Sequence, residues 1–272
     1  MKRNRIIQGL IGLIGLGGAA AWLATSLETN PIAVALFGPP KPVMAEAYAD
    51  SGGAARFDHG LLDGLLKAHV QGYAVDYAGL MADEATLDAY LAALGEADFD
   101  GLSRDDKLAL LINAYNAFTL RLILDHQPLD SIKDIPAAER WDAERWVVAG
   151  RTLSLTQLEH EELRAKFIEP RVHFAINCAS VGCPPLRAEA YVAARLDEQL
   201  EEQSLRMHQD ELWLTLDGQT VHLTPLYLWY QNDFVQVAGS PLAFAARYRP
   251  ELADGDWTVT WKDYDWRLNR KH

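Results

Sequence analysis

Apolar residues recur at helical spacing over much of this chain. Phe57, Leu61, Leu62, Leu65, Leu66 and Val70 share one face of a helix over 57–70. A second helix is predicted from about Glu84. A third spans "SRDDKLALLINAYNAFTLRLILDHQP", with Ser103 and Asp106 at capping-box spacing and Pro128 as its stop. "SLTQLEHEELRAKF" reads as a helix capped by Ser154 or Thr156, and "YVAARLDEQLEEQSLRMH" as an acidic amphipathic one. "PLYLWYQNDF" and "PLAFAARY" read as short helices. Hairpins are expected around Gly150 and around Asp217-Gly218. "VHFAIN" alternates like a short strand, and "DWTVTWKDYDWRLN" contains a late one. Helices mixed with hairpins point to an α+β fold, helix-rich with a small antiparallel sheet.

The first residues break this pattern. "MKRNR" carries three basic residues, and no charge follows from Ile6 to Leu27. A basic start before an apolar run is the pattern of a secretory signal. About 20 apolar residues would also cross the ~30 Å bilayer core, so an uncleaved anchor is equally compatible. Basic residues on the short side keep that side in the cytoplasm, which sends the body out of it, to the periplasm or the outer face of the inner membrane. The division expected is 1–27 signal peptide or anchor, 28–55 a Pro- and Gly-containing linker, and 56–272 the folded body. Removing Met1–Thr25 takes the net charge from −13 to −16. So acidic a chain does not suit nucleic acid, whose binding needs a basic face. Membrane contact is expected only through the N-terminal segment, and no motif calls for a cofactor.

Chemistry is concentrated in "HFAINCASVGCPPLR", which holds both cysteines, Cys178 and Cys183. As a strand, "VHFAIN" would put His173, Ala175 and Asn177 on one face and leave Cys178 at its end. Pro184-Pro185 would open a helix, setting Cys183 near a positive N-terminus that favours a thiolate. Three readings stay open: a Cys178–Cys183 disulfide, a zinc site from both cysteines with His173 and His160, and a thiol nucleophile served by His160 or His173. Asn113 and Asn116, three apart on an apolar helix, share a face; they either clamp a neighbouring loop or support a site as orienter or oxyanion donor. Glu159 and His160 are adjacent, so on a regular helix they point about 100° apart and cannot line one surface; His160 shares a face with Arg164.

Several blocks, in order, resemble the DUF547 domain family of bacteria and plants: "VDYAGL" (75–80), "LLINAYNAFTLRLIL" (110–124), "SIKDI" (131–135), "LSLTQLEHEELR" (153–164), "PRVHFAINCASVGCPPLRAEAY" (170–191), "WYQNDF" (229–234) and "YDWRLN" (264–269). The resemblance implies one domain rather than two. It also implies a comparison with papain-like and transglutaminase-like thiol enzymes. On that comparison Cys178 is the nucleophile, His160 or His173 its base, and Glu159 or Asn113 an orienting group. Asn116, Asn177 and Cys183 would support them, with Tyr264, Asp265 and Trp266 closing over the cluster. The activity expected is hydrolysis or acyl transfer at amide or ester bonds in the cell envelope; the alternative is a non-catalytic envelope scaffold or binding module.

Overall fold

Around the helix Arg104–Asp125 the rest of the body is wrapped. Ser103 starts it by accepting the Asp106 N–H at 3.2 Å, one of the donors a helix end leaves free. Every residue from Asp106 to Leu120 is buried. A helix apolar on all sides needs protein on all sides, and it is packed by the helix Glu84–Gly95 and by the segment Leu158–Leu163. The computed structural model describes residues 28–271. The signal or anchor expected over 1–27 lies outside the described residues.

The fold is α+β, with helices alternating with three small sheets. Strands β1 (Val70–Gln71) and β2 (Ala74–Val75) pair, as do β3 (Trp146–Val148) and β4 (Arg151–Leu153). The third sheet holds β5 (Leu214–Asp217), β6 (Thr220–Leu223) and β7 (Thr258–Trp261). Gly150 and Gly218, at φ 74° and 56°, make the turns of the two predicted hairpins, where only a residue without Cβ enters the left-handed region freely. The sheet is not purely antiparallel as expected, because β7 joins β6 in parallel. The chain between them runs through the helices Leu226–Trp229, Gln231–Ala238 and Pro241–Ala245, a connection long enough for parallel pairing.

Two expectations for the cysteine segment are corrected. "VHFAIN" is not a strand: Val172–Ala175 is a helical turn, followed by extended Ile176. A short apolar run fits either state, and here no partner strand is within reach. Asn116 takes a partner strand's place. Its Nδ2 donates to Ala175 O at 3.0 Å and its Oδ1 accepts the Asn177 N–H at 2.8 Å. Nor does a helix begin at Cys183. Pro184 and Pro185 are extended coil whose carbonyls accept from Asn177 and Gln203.

The C-terminal strand of chain holds the same loop from the other side. Ser180 pairs with Leu268, the Val181 N–H donates to Arg267 O, and the Gly182 N–H donates to Asp265 O. A Cβ on Gly182 would lie 2.8 Å from Asp265 N, so only glycine allows this approach. Residues 28–55, expected as a linker, are folded onto the body. Pro31–Phe37 is helical, Val34 and Met44 are buried, and Ala45 and Ala47 bond to Ala165 and Lys166.

Asn116→Ala leaves Ala175 O and Asn177 N–H unpaired inside the protein. At about 1–3 kcal/mol for each buried group, urea denaturation should show a loss of about 2–4 kcal/mol. A loss too small to measure would mean that something else holds the cysteine segment.

Candidate functional site

The helix that carries Glu159 and His160 is not regular. Ser154 caps it and Gln157 returns a bond to the Ser154 N–H, a complete capping box. From Leu158 to Leu163 the helix widens, and the Arg164 N–H bonds to Glu159 O, five residues back. A wider turn rotates less per residue than a regular helix. Contrary to the sequence expectation, Glu159 and His160 therefore reach the same cavity, with His160 Nδ1 3.7 Å from Glu159 Oε1.

That cavity measures about 670 Å³. Cys178, His160, His173 and Glu159 all border it, and Trp141, Trp229 and Trp266 form much of its apolar wall. Glu28 closes one side. Its backbone O accepts from Trp229 Nε1 at 2.7 Å and its carboxylate from Trp266 Nε1 at 2.8 Å, while Lys133 Nζ lies 2.5 Å from the other oxygen.

Beneath the cavity lies a buried charge unit. Arg164 grips Asp233 with two bonds, Nε to Oδ2 at 2.7 Å and Nη2 to Oδ1 at 3.0 Å, and neither side chain is more than 1 % exposed. His173 Nε2 is 2.8 Å from Asp233 Oδ2, and its ring stacks on Tyr230 at 3.9 Å. Asp233 is held down at about 2; burial raises its pKa, but the bonds from His173 and Arg164 outweigh that. It is thus a carboxylate that only accepts, so His173 carries its proton on Nε2. Its Nδ1 lone pair is buried without a partner among the described residues.

His160 is arranged the opposite way. Arg164 Nη1 is 2.8 Å from its Nδ1. A guanidinium only donates, so Nδ1 is the acceptor and the neutral ring presents Nε2–H. Burial, mainly, keeps both rings below the ordinary histidine pKa; the nearby Arg164 charge adds to this in each case. At neutral pH His173 is therefore a base and His160 a donor.

Cys178 is half-buried, and its Sγ lies 3.1 Å from Ser180 Oγ and 3.2 Å from Tyr264 Oη. Neither histidine is its hydrogen-bond partner among the described residues. Contact with Cys183 is the largest cause lowering its pKa; burial opposes this, and the Ser180 and Tyr264 hydroxyls add to the lowering. Burial pushes Cys183 up, so the easily ionised sulfur is Cys178. The helix N-terminus expected to act on Cys183 is replaced by hydroxyl groups acting on Cys178. Ala179, next in the chain, sits at φ 61°, strained for a residue with a Cβ; its N–H bonds to Asn177 Oδ1. Both thiols are free, with the Cys178 N–H 2.9 Å from Cys183 Sγ. No group of three metal-ligating side chains is arranged for an ion among the described residues.

Other sequence candidates divide. Tyr264 and Trp266 border the cavity, but Asp265 turns away into an ion pair with Arg267. Asn113 does not reach it: both ends of its amide are used on the Tyr191 backbone, at 2.8 and 2.9 Å, which makes it the clamp of the two readings. Asn116 and Asn177 are likewise loop supports. The sequence reading missed Asp233. Its signal was a single acid within the otherwise uncharged "YLWYQNDF".

A helix-rich α+β body with two free thiols at a largely apolar cavity, beside a buried histidine–aspartate pair, is the class defined so far. Residues 99–206 match the model of the family described as "protein of unknown function, DUF547". The match includes Glu159, His160, His173 and Cys178 but not Asp233, Tyr264 or Trp266. No curated protein and no solved structure matches the chain.

Asp233→Asn leaves Arg164 buried without a counter-charge, and denaturation should show a loss of about 3–5 kcal/mol. The pH dependence has two parts. Buried His59 and His208, kept near 4 mainly by desolvation, refuse protons that the unfolded chain takes up below about 6.5. The melting temperature should therefore fall from pH 6.5 towards 4. The contribution of ionised Asp233 is complete above about 3.9 and disappears as the pH falls through about 2. A melting temperature flat from pH 7 to 4.5 would contradict the buried neutral histidines.

Proposed function

We propose that this protein is an exported thiol-dependent hydrolase or acyltransferase, acting on ester or amide bonds in the cell envelope. One observation carries the reading: the thiol favoured for ionisation, Cys178, borders the same cavity as His173, whose Nε2 is fixed by Asp233 and whose buried Nδ1 has no partner among the described residues. In the first step the Cys178 sulfur bonds to the acyl carbon. The bond to the leaving oxygen or nitrogen breaks, and the thiol proton ends on that leaving atom. His160 Nε2–H donates to the carbonyl oxygen as charge develops there. In the second step His173 Nδ1 takes the proton of the incoming nucleophile, whose oxygen or nitrogen bonds to the acyl carbon; the C–S bond breaks and the proton passes to the Cys178 sulfur, restoring the thiol. Asp233 keeps the ring in the required tautomer, as a positioning residue. Export is supported by the basic "MKRNR" followed by an uncharged apolar run.

A second reading, an envelope scaffold with a Cys178–Cys183 disulfide, is favoured by the closeness of the two residues. Iodoacetamide labelling of the native, non-reduced protein across pH, read by mass spectrometry, separates them. The thiol reading expects Cys178 to label at neutral pH, with an inflection below that of an ordinary thiol, and Cys183 to stay unlabelled. Labelling only after reduction sinks it in favour of the disulfide. Cys178→Ala should remove ester turnover and move the melting temperature by no more than a few degrees.

A further inference from the structure

Among the described residues the cavity wall carries three carboxylates, those of Glu28, Asp142 and Glu159, and no lysine or arginine. Lys133 answers Glu28 from outside the wall. Asp142 accepts from the Thr156 hydroxyl, at 2.6 Å. Glu159 accepts from the Tyr115 hydroxyl on Oε2, at 3.2 Å. Its Oε1 is buried and has no hydrogen-bond partner among the described residues, and the same holds for His173 Nδ1. Both side chains are more than nine-tenths buried and both border the cavity. Two buried acceptors without donors are costly to leave so, and a ligand bringing N–H groups relieves both. The aromatic walls suit an aliphatic stem and attract a cation.

We infer that the cavity takes a primary ammonium on an aliphatic stem and that this amine, not water, is the preferred acceptor of the acyl group. The inference rests on the thiol reading for its second half only. The ammonium donates to Glu159 Oε1 and faces His173 Nδ1. Loss of a first proton, to solvent through His173, frees the nitrogen lone pair. The C–N bond then forms and the C–S bond to Cys178 breaks. A second proton, lost from the same nitrogen, returns to the sulfur, leaving an amide and the free thiol. No oxidant or further reactant is consumed.

The test uses the full-length chain with n-butylammonium as probe and a p-nitrophenyl ester as acyl donor. Titration calorimetry should detect n-butylammonium, with butyrate and 1-butanol binding at least tenfold more weakly. Glu159→Gln should weaken the amine at least tenfold, and Asp142→Asn should weaken it severalfold if Glu159→Gln does not fold. With ester and amine together, the N-butyl amide should exceed the free acid among the products. No amine binding, or butyrate binding as tightly, overturns the inference, even if Cys178 turns over esters. Ester turnover giving only the free acid while the amine is bound overturns the acceptor role. Amine binding with an inert Cys178 keeps the ammonium site and removes the thiol reading instead.

Discussion

Everything at this site hangs on the pairing of Arg164 with Asp233. Two ions buried this deeply are stable only when each meets the other with good geometry and its remaining hydrogen-bonding capacity is also used. Asp233 spends its capacity on Arg164 and His173; Arg164 spends its own on Asp233 and His160. The pair thus assigns the protons of two histidines with opposite results, Arg164 directly at His160 and Asp233 at His173. Replacing Arg164 by lysine would not reproduce this, because a single ammonium lacks the planar fork that bonds a carboxylate twice and still reaches an imidazole. The pairing also joins three parts of the chain: the widened helix, the turn Val172–Ala175 and the helix Gln231–Ala238.

The widened turn and this ion pair are linked. By bonding Arg164 N–H to Glu159 O, the helix gains a residue's worth of circumference where Glu159, His160 and Arg164 must face different partners. Glu159 meets Tyr115 and the cavity, His160 the cavity, and Arg164 the interior. A regular helix would set Glu159 and His160 about 100° apart. The local irregularity is what brings a carboxylate and an imidazole from adjacent positions to one wall.

Long-period features were legible in the sequence, and short-range ones were not. The helix Arg104–Asp125, its Ser103 cap and both hairpin turns follow from periodicity and from residues with one strong conformational use, such as Gly150 and Gly218. "VHFAIN" misled because alternation over six residues describes a strand only if a partner strand exists, and Asn116 had already taken its backbone groups. Asn113 and Asn116 could be placed on one face, yet the same pattern serves a clamp or a catalytic amide, and only their partners decide. Asp233 could not be singled out, since an acid on a short helix is ordinarily solvated. Its meaning lies in Arg164 and His173, 69 and 60 residues away.

The cavity draws its lining from several parts of the chain. Cys178, His173, His160 and Glu159 lie within the DUF547 match, whereas Trp229, Trp266 and the Glu28 clasp lie outside it. Glu28 holds two tryptophans and Lys133 together, and Lys133 also sits 3.8 Å above the Trp266 ring. This cluster of bonds ties one side of the cavity wall to the segment at Glu28. Changes in residues 28–39 can alter what enters the cavity without disturbing the Arg164–Asp233 pair. Changes at that pair disturb the protons of both histidines whatever enters. Cavity shape and histidine protonation are thus separable in this fold, because one rests on partly exposed contacts of low individual strength and the other on a buried unit that tolerates no missing member.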